Sequence, residues 1–390
     1  MNKEKCIILS YAPIKSNFEF TFWNRFCCLC ISFGYSVYYI GPIAFPNSMV
    51  NSYIVPRNLE DVYNALSNEI LYDIIDRKMV DICYRREKAF MKSDGIKSFL
   101  AIHKILTLFR NINLAHDIKA IVAWTRITPA SFLIWEYAKK NHIPCFEAER
   151  APFSNFIWIE KTGILNQAKM WKEYTPRVGC CPELGKRVSN ELKNNVYGFR
   201  TSFRSNCKSF IKRKKVLFCP MDNIYESVWL PQDHPLSCER YPDVPSPDEF
   251  LNLLYDMAVS WDYELVIRTH PSCHYIQKEK FPKLKICDDD LAYLLGVSDL
   301  VLCGHTKVSY PAVALGKDVI TYVKNTVLCA GLGNKINLIN CVNEQPAHIN
   351  KDKYYWERVY NFFGWLASSY FYTTNREGQQ IDTFVEEIIQ

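Results

Sequence analysis

Asp299-Leu300-Val301-Leu302-Cys303, then Gly304-His305-Thr306-Lys307-Val308-Ser309-Tyr310, then Pro311-Ala312-Val313-Ala314-Leu315, then Gly316-Lys317 and Asp318-Val319-Ile320-Thr321-Tyr322, is the stretch that decides how this chain folds. It reads as a buried strand, a short hydroxyl-bearing loop, a helix stopped early by glycine, and a second buried strand. Two short apolar strands joined through a helix run parallel, and a parallel sheet needs helices on both faces. The loop between strand and helix offers backbone N–H groups, hydroxyls and the Lys307 cation, so it can hold an anion. It lacks the glycine pattern of a P-loop, which argues against ATP hydrolysis.

The same alternation extends in both directions. Upstream, Val216–Pro220 and Glu264–Thr269 read as strands, the second ending at His270-Pro271. Ser246-Pro247-Asp248-Glu249 is a capping box with proline in the first turn, and it opens a helix to about Ser260. In the first half, strands are expected at Cys6–Ser10, Ser36–Ile40, Lys119–Trp124 and Ile143–Glu147. Helices are expected at Phe18–Phe33, Leu59–Ile75, Ile96–Phe109 and from Thr128-Pro129. The fold class is therefore α/β, with two Rossmann-like domains facing a central cleft. The expected division is residues 1–200, residues 210–370, and a C-terminal helix at 371–390 packing back on the first domain.

Composition narrows the class. The chain has 390 residues, 48% hydrophobic and 23% charged, enough to bury its own core and too apolar to be disordered. Lys plus Arg less Asp plus Glu is 47 − 41 = +6, without the basic stripe of a nucleic-acid binder. The run Lys212-Arg213-Lys214-Lys215 could meet anionic lipid, but four cations ahead of a strand read first as a solvated linker. The sixteen cysteines are scattered, several inside apolar runs, as free thiols are. With a charged N-terminus and no secretory pattern, the expected compartment is the cytoplasm. Phe26–Pro56 carries no charge, yet Gly34, Pro42 and Pro46 break it into a helix, a strand and a loop rather than a membrane span. Cys27-Cys28-Leu29-Cys30 has no second cysteine pair, and His270, Cys273 and His274 lack a fourth ligand, so no metal is expected.

At this point the sequence resembles a family. A strand ending in His270-Pro271, a hydroxyl-bearing loop at Thr306, and a helix closing on Ala312-x-x-x-Gly316-Lys317 are similar to the C-terminal half of a GT-B glycosyltransferase. Within that class they resemble the bacterial Kdo transferases of capsule and O-antigen synthesis. That group includes the KpsC and KpsS capsule proteins and the retaining β-Kdo transferase domain of WbbB. Glu149-Arg150-x-Pro152 followed by Ile159-Glu160-x-x-Gly163-Ile164-x-Asn166 resembles the group's Arg-Pro segment, and Val216–Pro220 leading to the acidic loop around Asp233 is a third match. The resemblance spans roughly residues 145–322. Pro311 stands where capsule enzymes often carry Glu, and Thr306-Lys307 where they carry Ser-Thr, which favours the WbbB-like branch.

The resemblance implies a CMP-β-Kdo donor, retention through an Asp-linked glycosyl intermediate, and no cofactor or metal. It makes Asp233 the nucleophile, with Asp222 its rival nearer the strand end, and Glu160 the base for the acceptor hydroxyl. His270 becomes a donor to the leaving group, and Thr306, Lys307, Ser309 and Lys317 the donor-binding residues. Arg150 would meet the sugar carboxylate, or else pair only with Glu147 or Glu149. The implied partners are a nucleotide-sugar donor and a glycan acceptor, lipid-linked. Peripheral contact with the inner face of the bacterial inner membrane, or with other glycosyltransferase domains, would follow. The alternatives are another donor (CMP-sialic acid or a UDP-sugar), a sugar-nucleotide epimerase, and a non-catalytic glycan-binding component.

Overall fold

The computed structural model describes residues 3–66, 80–81, 83, 95–125, 129–161, 163, 168–175, 181–195, 215–221, 247–269, 278–287, 289–338, 340–343 and 345–390. The chain divides into two compact units. The first is Met1–Ala151, Asn155–Gln167 and Phe371–Gln390; the second is Pro152–Ser154 and Ala168–Tyr370.

In the first unit the chain runs β1 (Glu4–Ser10), α1 (Asn17–Ser32), β2 (Ser36–Gly41), β3 (Asn51–Ile54), α2 (Leu59–Ala65), α3 (Gly95–Ala115), β4 (His116–Trp124), α4 (Pro129–Lys140), β5 (Cys145–Arg150) and β6 (Ile157–Glu160). The sheet order begins β3-β2-β1-β4-β5, all parallel. β6 then adds antiparallel to β5. Helix α1 starts with a capping box, Ser16 accepting from the Glu19 N–H and Glu19 accepting from the Ser16 N–H. It ends before Gly34, whose φ of +84° is a conformation that favours glycine. Phe22, Trp23 and Phe26 on its inner face are fully buried, each worth roughly 1.5–3 kcal/mol. The uncharged segment at Phe26–Pro56 thus forms the end of α1, then β2 and β3. Among the described residues no helix is long and apolar enough to cross a membrane.

The second unit contains α5 (Met170–Glu173), α6 (Pro182–Asn195), β7 (Val216–Pro220), α7 (Pro247–Ser260), β8 (Glu264–Arg268), β9 (Lys285–Cys287), α8 (Leu291–Val297), β10 (Leu300–Cys303), α9 (Ser309–Ala314), β11 (Asp318–Thr321), β12 (Asn334–Lys335) and α10 (Lys353–Trp365). Its sheet order is β12-β11-β10-β7-β8-β9, parallel throughout. Numbered along the chain, this is 6-5-4-1-2-3, the doubly wound dinucleotide-binding order. The α/β class with two Rossmann-like domains expected from the sequence is the observed one.

The last segment returns to the first unit. β13 (Tyr372–Thr373) pairs antiparallel with β6, followed by β14 (Gln379–Gln380) and α11 (Ile381–Ile389). Phe384 stacks on Phe26, and Arg25 meets Asp382 through two hydrogen bonds.

The domain boundary differs from the expected one near residues 200–210. It falls after Gln167, because α6 packs on α10 of the second unit. Two glycines set that packing. A Cβ on Gly185 would lie 1.8 Å from the Tyr360 carbonyl oxygen, and one on Gly364 would lie 2.2 Å from the Cys181 carbonyl oxygen. Gly185→Ala and Gly364→Ala are expected to destabilise by about 1–3 kcal/mol or more through overpacking. Gly296→Ala, in α8 with nothing within 4 Å of its Cβ, is expected to gain up to about 1 kcal/mol. Thermal unfolding of the three variants checks the contrast.

Candidate functional site

In a doubly wound sheet, ligands bind at the carboxyl ends of the strands where the order reverses. In the second unit that point lies between β7 and β10. β7 leads into Met221, whose N–H donates to the Arg268 carbonyl at 2.9 Å and ties the β7 end to the β8 end. β10 leads into the loop Gly304–Val308. Its Gly304 carbonyl accepts from the Asn325 amide at 2.6 Å, and Asn325 Oδ1 accepts from the Val327 N–H at 3.2 Å. One buried asparagine therefore joins the loops after β10 and β11.

Within the loop, Thr306 Oγ1 accepts from the Val308 N–H at 3.3 Å, which leaves its proton to give. Ser309 donates to the Thr306 carbonyl at 3.2 Å. Ser309 is fully buried and is the first helical residue, so it neither caps α9 nor offers its proton to a ligand. That corrects its expected role: it shapes the loop. Lys307 is half-buried in the same loop, and His305 lies buried below it.

Lys317 is a second correction. Its ammonium donates to the Gly296 and Ser298 carbonyls at 2.9 and 2.8 Å, neutralising the open end of α8. It precedes β11, so it sits at the amino edge of the sheet, opposite Thr306. Burial lowers its pKa, opposed by the nearby Asp299 carboxylate. A cation at the carboxyl edge is Lys324, which follows β11 and lies 4.4 Å from the Trp171 ring centroid. Neither Lys324 nor Asn325 was singled out from the sequence. The available signal was position: both stand just past a buried strand, where site residues of this fold gather.

Other expected residues lie in the first unit. Arg150 ends β5, and its Nε donates to Glu19 Oε1 at 2.5 Å, so it pairs with the capping-box acid of α1. The Arg150 side chain is 60% exposed, which leaves it open to solvent while Glu19 fixes its direction. Glu160 is buried on β6, directly opposite buried Glu147 on β5, and Trp158 Nε1 donates to Glu160 Oε1 at 3.3 Å. Asp233, Asp222, His270, Cys273 and His274 lie outside the described residues. Among the described residues no group of three or more His, Cys, Asp or Glu could hold a metal ion.

No family model and no curated protein matches this chain. Solved structures do. A Thermosulfurimonas dismutans KpsC β-Kdo 2,4-transferase is 11% identical, covering 81% of this chain and 97% of its own, with a TM-score of 0.41. The β-Kdo 2,7-transferase of the same organism's KpsC is 14% identical over 78% of this chain and 94% of its own, with a TM-score of 0.40. A UDP-GlcNAc 2-epimerase from Neisseria meningitidis, bound to UDP-GlcNAc, is 12% identical over 92% and 94%, with a TM-score of 0.39. Likeness this distant carries no residue roles; the two strand orders carry the fold.

Two outcomes separate structure from chemistry here. Lys317→Ala is expected to cost about 0.5–1.5 kcal/mol of stability while leaving nucleotide affinity unchanged, read by thermal unfolding with and without nucleotide. Asp318, one residue on, is partly buried, which raises its pKa, but hydrogen bonds from Lys351 and His348 outweigh this and hold the carboxyl below its usual range. A depressed folded pKa contributes stability above the unfolded value and loses it as pH falls through the folded value. Asp318→Asn should therefore be less stable than wild type at neutral pH, on the order of 1–3 kcal/mol, and the gap should close below about pH 3.9. Paired denaturation curves across pH check it.

Proposed function

We propose that this protein is a GT-B glycosyltransferase that moves Kdo from CMP-β-Kdo to a surface-polysaccharide acceptor with retention. The observation that supports the reading most is the Gly304–Ser309 loop at the order reversal of the second sheet. Its backbone is pinned, and it presents the Thr306 hydroxyl proton and the Lys307 cation. CMP carries a single phosphate, so hydroxyl, ammonium and backbone donors suffice to hold it. The family-like motifs at residues 145–322 point to the same chemistry.

In this reading the Asp233 carboxylate attacks the anomeric carbon. The bond to the phosphate oxygen breaks, and CMP leaves with the electron pair. Lys307 and His270 offset the charge developing on that phosphate. The acceptor hydroxyl then attacks the same carbon, the ester to Asp233 breaks, and Glu160 takes the hydroxyl proton. Two displacements give net retention. Arg150, aimed by Glu19, is a bidentate match for the carboxylate of the donor sugar.

CMP at saturating concentration is expected to raise the unfolding temperature by a few degrees, and UDP to leave it unchanged. Lys307→Ala should remove most of that shift. CMP release from CMP-Kdo in the presence of glycan acceptors should fall at least ~10³-fold in Asp233→Ala. Full turnover by that variant would remove Asp233 as nucleophile, and stabilisation by UDP instead of CMP would overturn the donor assignment.

A further inference from the structure

The turn that follows β11 carries one exposed residue among buried ones. Val323, Asn325 and Thr326 are buried, and Lys324 between them is open to solvent. The backbone on either side of it is fixed. The Val323 carbonyl accepts from the Thr321 hydroxyl at 2.9 Å and from the Asn325 N–H at 2.9 Å. Asn325 then opens a 3₁₀ turn at Thr326–Ala330, its side chain accepting from the Val327 N–H. A turn tied at these points presents the lysine from a fixed stem.

The side chain is held as well. Its ammonium lies 4.4 Å from the centroid of the Trp171 ring. Trp171 stands on α5, which is anchored where the Met170 N–H donates to the Tyr370 hydroxyl oxygen at 3.0 Å. An aromatic face attracts a cation without cancelling its charge. Among the described residues no carboxylate lies within ion-pair distance of Lys324.

The turn stands directly beside the loop after β10. β10 and β11 are parallel neighbours with Cys303 paired to Thr321, so both loops leave the same edge of the sheet about 4.8 Å apart. Two hydrogen bonds join them, from the Asn325 amide to the Gly304 carbonyl at 2.6 Å and between the Thr326 and Tyr310 hydroxyls at 2.7 Å. They reach the two ends of the Gly304–Tyr310 segment, and Lys307 lies between those ends. Neither Gly304–Tyr310 nor Tyr322–Ala330 contains an Asp or Glu, whereas each contains a lysine. Such a one-signed pair of loops concentrates anions.

We infer that Lys324 is a further binding residue, contacting the phosphate of the ligand held by the Gly304–Ser309 loop. An ammonium acts on phosphate oxygens as a point charge, so it needs position rather than a fixed bidentate geometry. Trp171 supplies that position. With Lys307 it makes a two-cation grip, from which a terminal, dianionic phosphate gains more than a singly charged diester does. Naming the anion as a nucleotide phosphate rests on the transferase reading; the mounted cation and the tied loops stand on the second unit alone.

The test is calorimetric titration of the full chain with CMP, UDP and inorganic phosphate. Wild type should bind CMP, and Lys324→Gln should weaken it about tenfold, the loss expected for one charge-assisted contact. The gap between the two proteins should narrow in roughly 0.5 M salt, because screening weakens the contact that only wild type makes. Lys283→Gln removes the same charge from an exposed site ahead of β9 and should bind as wild type does. The inference is overturned if Lys324→Gln keeps wild-type affinity, if Lys283→Gln loses as much, or if wild type binds none of the three anions. UDP binding in place of CMP, weakened in the same way by Lys324→Gln, would sink the donor reading and leave Lys324 in its role. CMP binding untouched by Lys324→Gln would do the reverse.

Discussion

Parallel strands cannot turn directly into one another, so each needs a crossover, and the crossovers bury both faces of the sheet. That constraint organises both units. Starting from the first strand, the chain builds outward to one side and then crosses to the other, which leaves a gap in helix cover above the strands where the direction changes. In the second unit the gap lies over β7 and β10, in the first over β1 and β4. In the second unit it carries the hydroxyl-and-lysine loop held by Asn325, and in the first it adjoins Tyr11 and Thr125, both at positive φ.

Elements buried on both faces were the legible part of the sequence. Val216–Pro220 and Leu300–Cys303 are continuous apolar runs, and such runs flanked by polar residues read as strands without ambiguity. Strand boundaries drifted by up to three residues, and the helix expected to stop at Phe109 runs on to Ala115. Asp299 is outside β10 because its carboxylate accepts from the Val216 N–H at 2.8 Å. The antiparallel β6 was not legible: Ile157-Trp158-Ile159-Glu160 carries three apolar residues and one acid, with no alternation to mark a strand. β13 and β14 are two residues each, too short for any period to show.

The site residues divided along the same line. Thr306 and Lys307 drew notice because they directly follow a strand, and the structure places them at the order reversal of the second sheet. Lys317 was misassigned because it adjoins the same motif in sequence, whereas a parallel strand–helix–strand unit sends the residue before its second strand to the far edge of the sheet. A separation of only 317 − 306 = 11 residues counts for less than one crossover. The domain boundary failed for a related reason. The run Lys212–Lys215 read as a linker, but Lys215 lies over the Tyr263 ring at 5.6 Å as part of the second unit. The real division is earlier, where the glycine-permitted contact of α6 with α10 begins.

The aromatic content of 14% has a structural use that its amount alone could not reveal. In the second unit Phe153, Tyr310, Phe362 and Phe363 form one connected group of rings with centroids 5.5–6.5 Å apart. The tyrosines and a tryptophan add a polar tip to that apolar bulk. Tyr310 reaches Thr326 at 2.7 Å, Tyr355 donates to the Val313 carbonyl at 3.2 Å, and Trp261 donates to the Cys341 carbonyl at 3.0 Å. The Tyr370 oxygen accepts from the Met170 N–H at 3.0 Å. Phenylalanine at Tyr310 or Tyr370 would fill the same space and leave the Thr326 hydroxyl or the Met170 N–H short of a partner. Two of these contacts fix the segment that follows the Gly304–Val308 loop: Tyr310 and Tyr355 hold α9, the helix that Thr306 and Lys307 lead into. These rings are the framework that holds the Gly304–Ser309 loop in place.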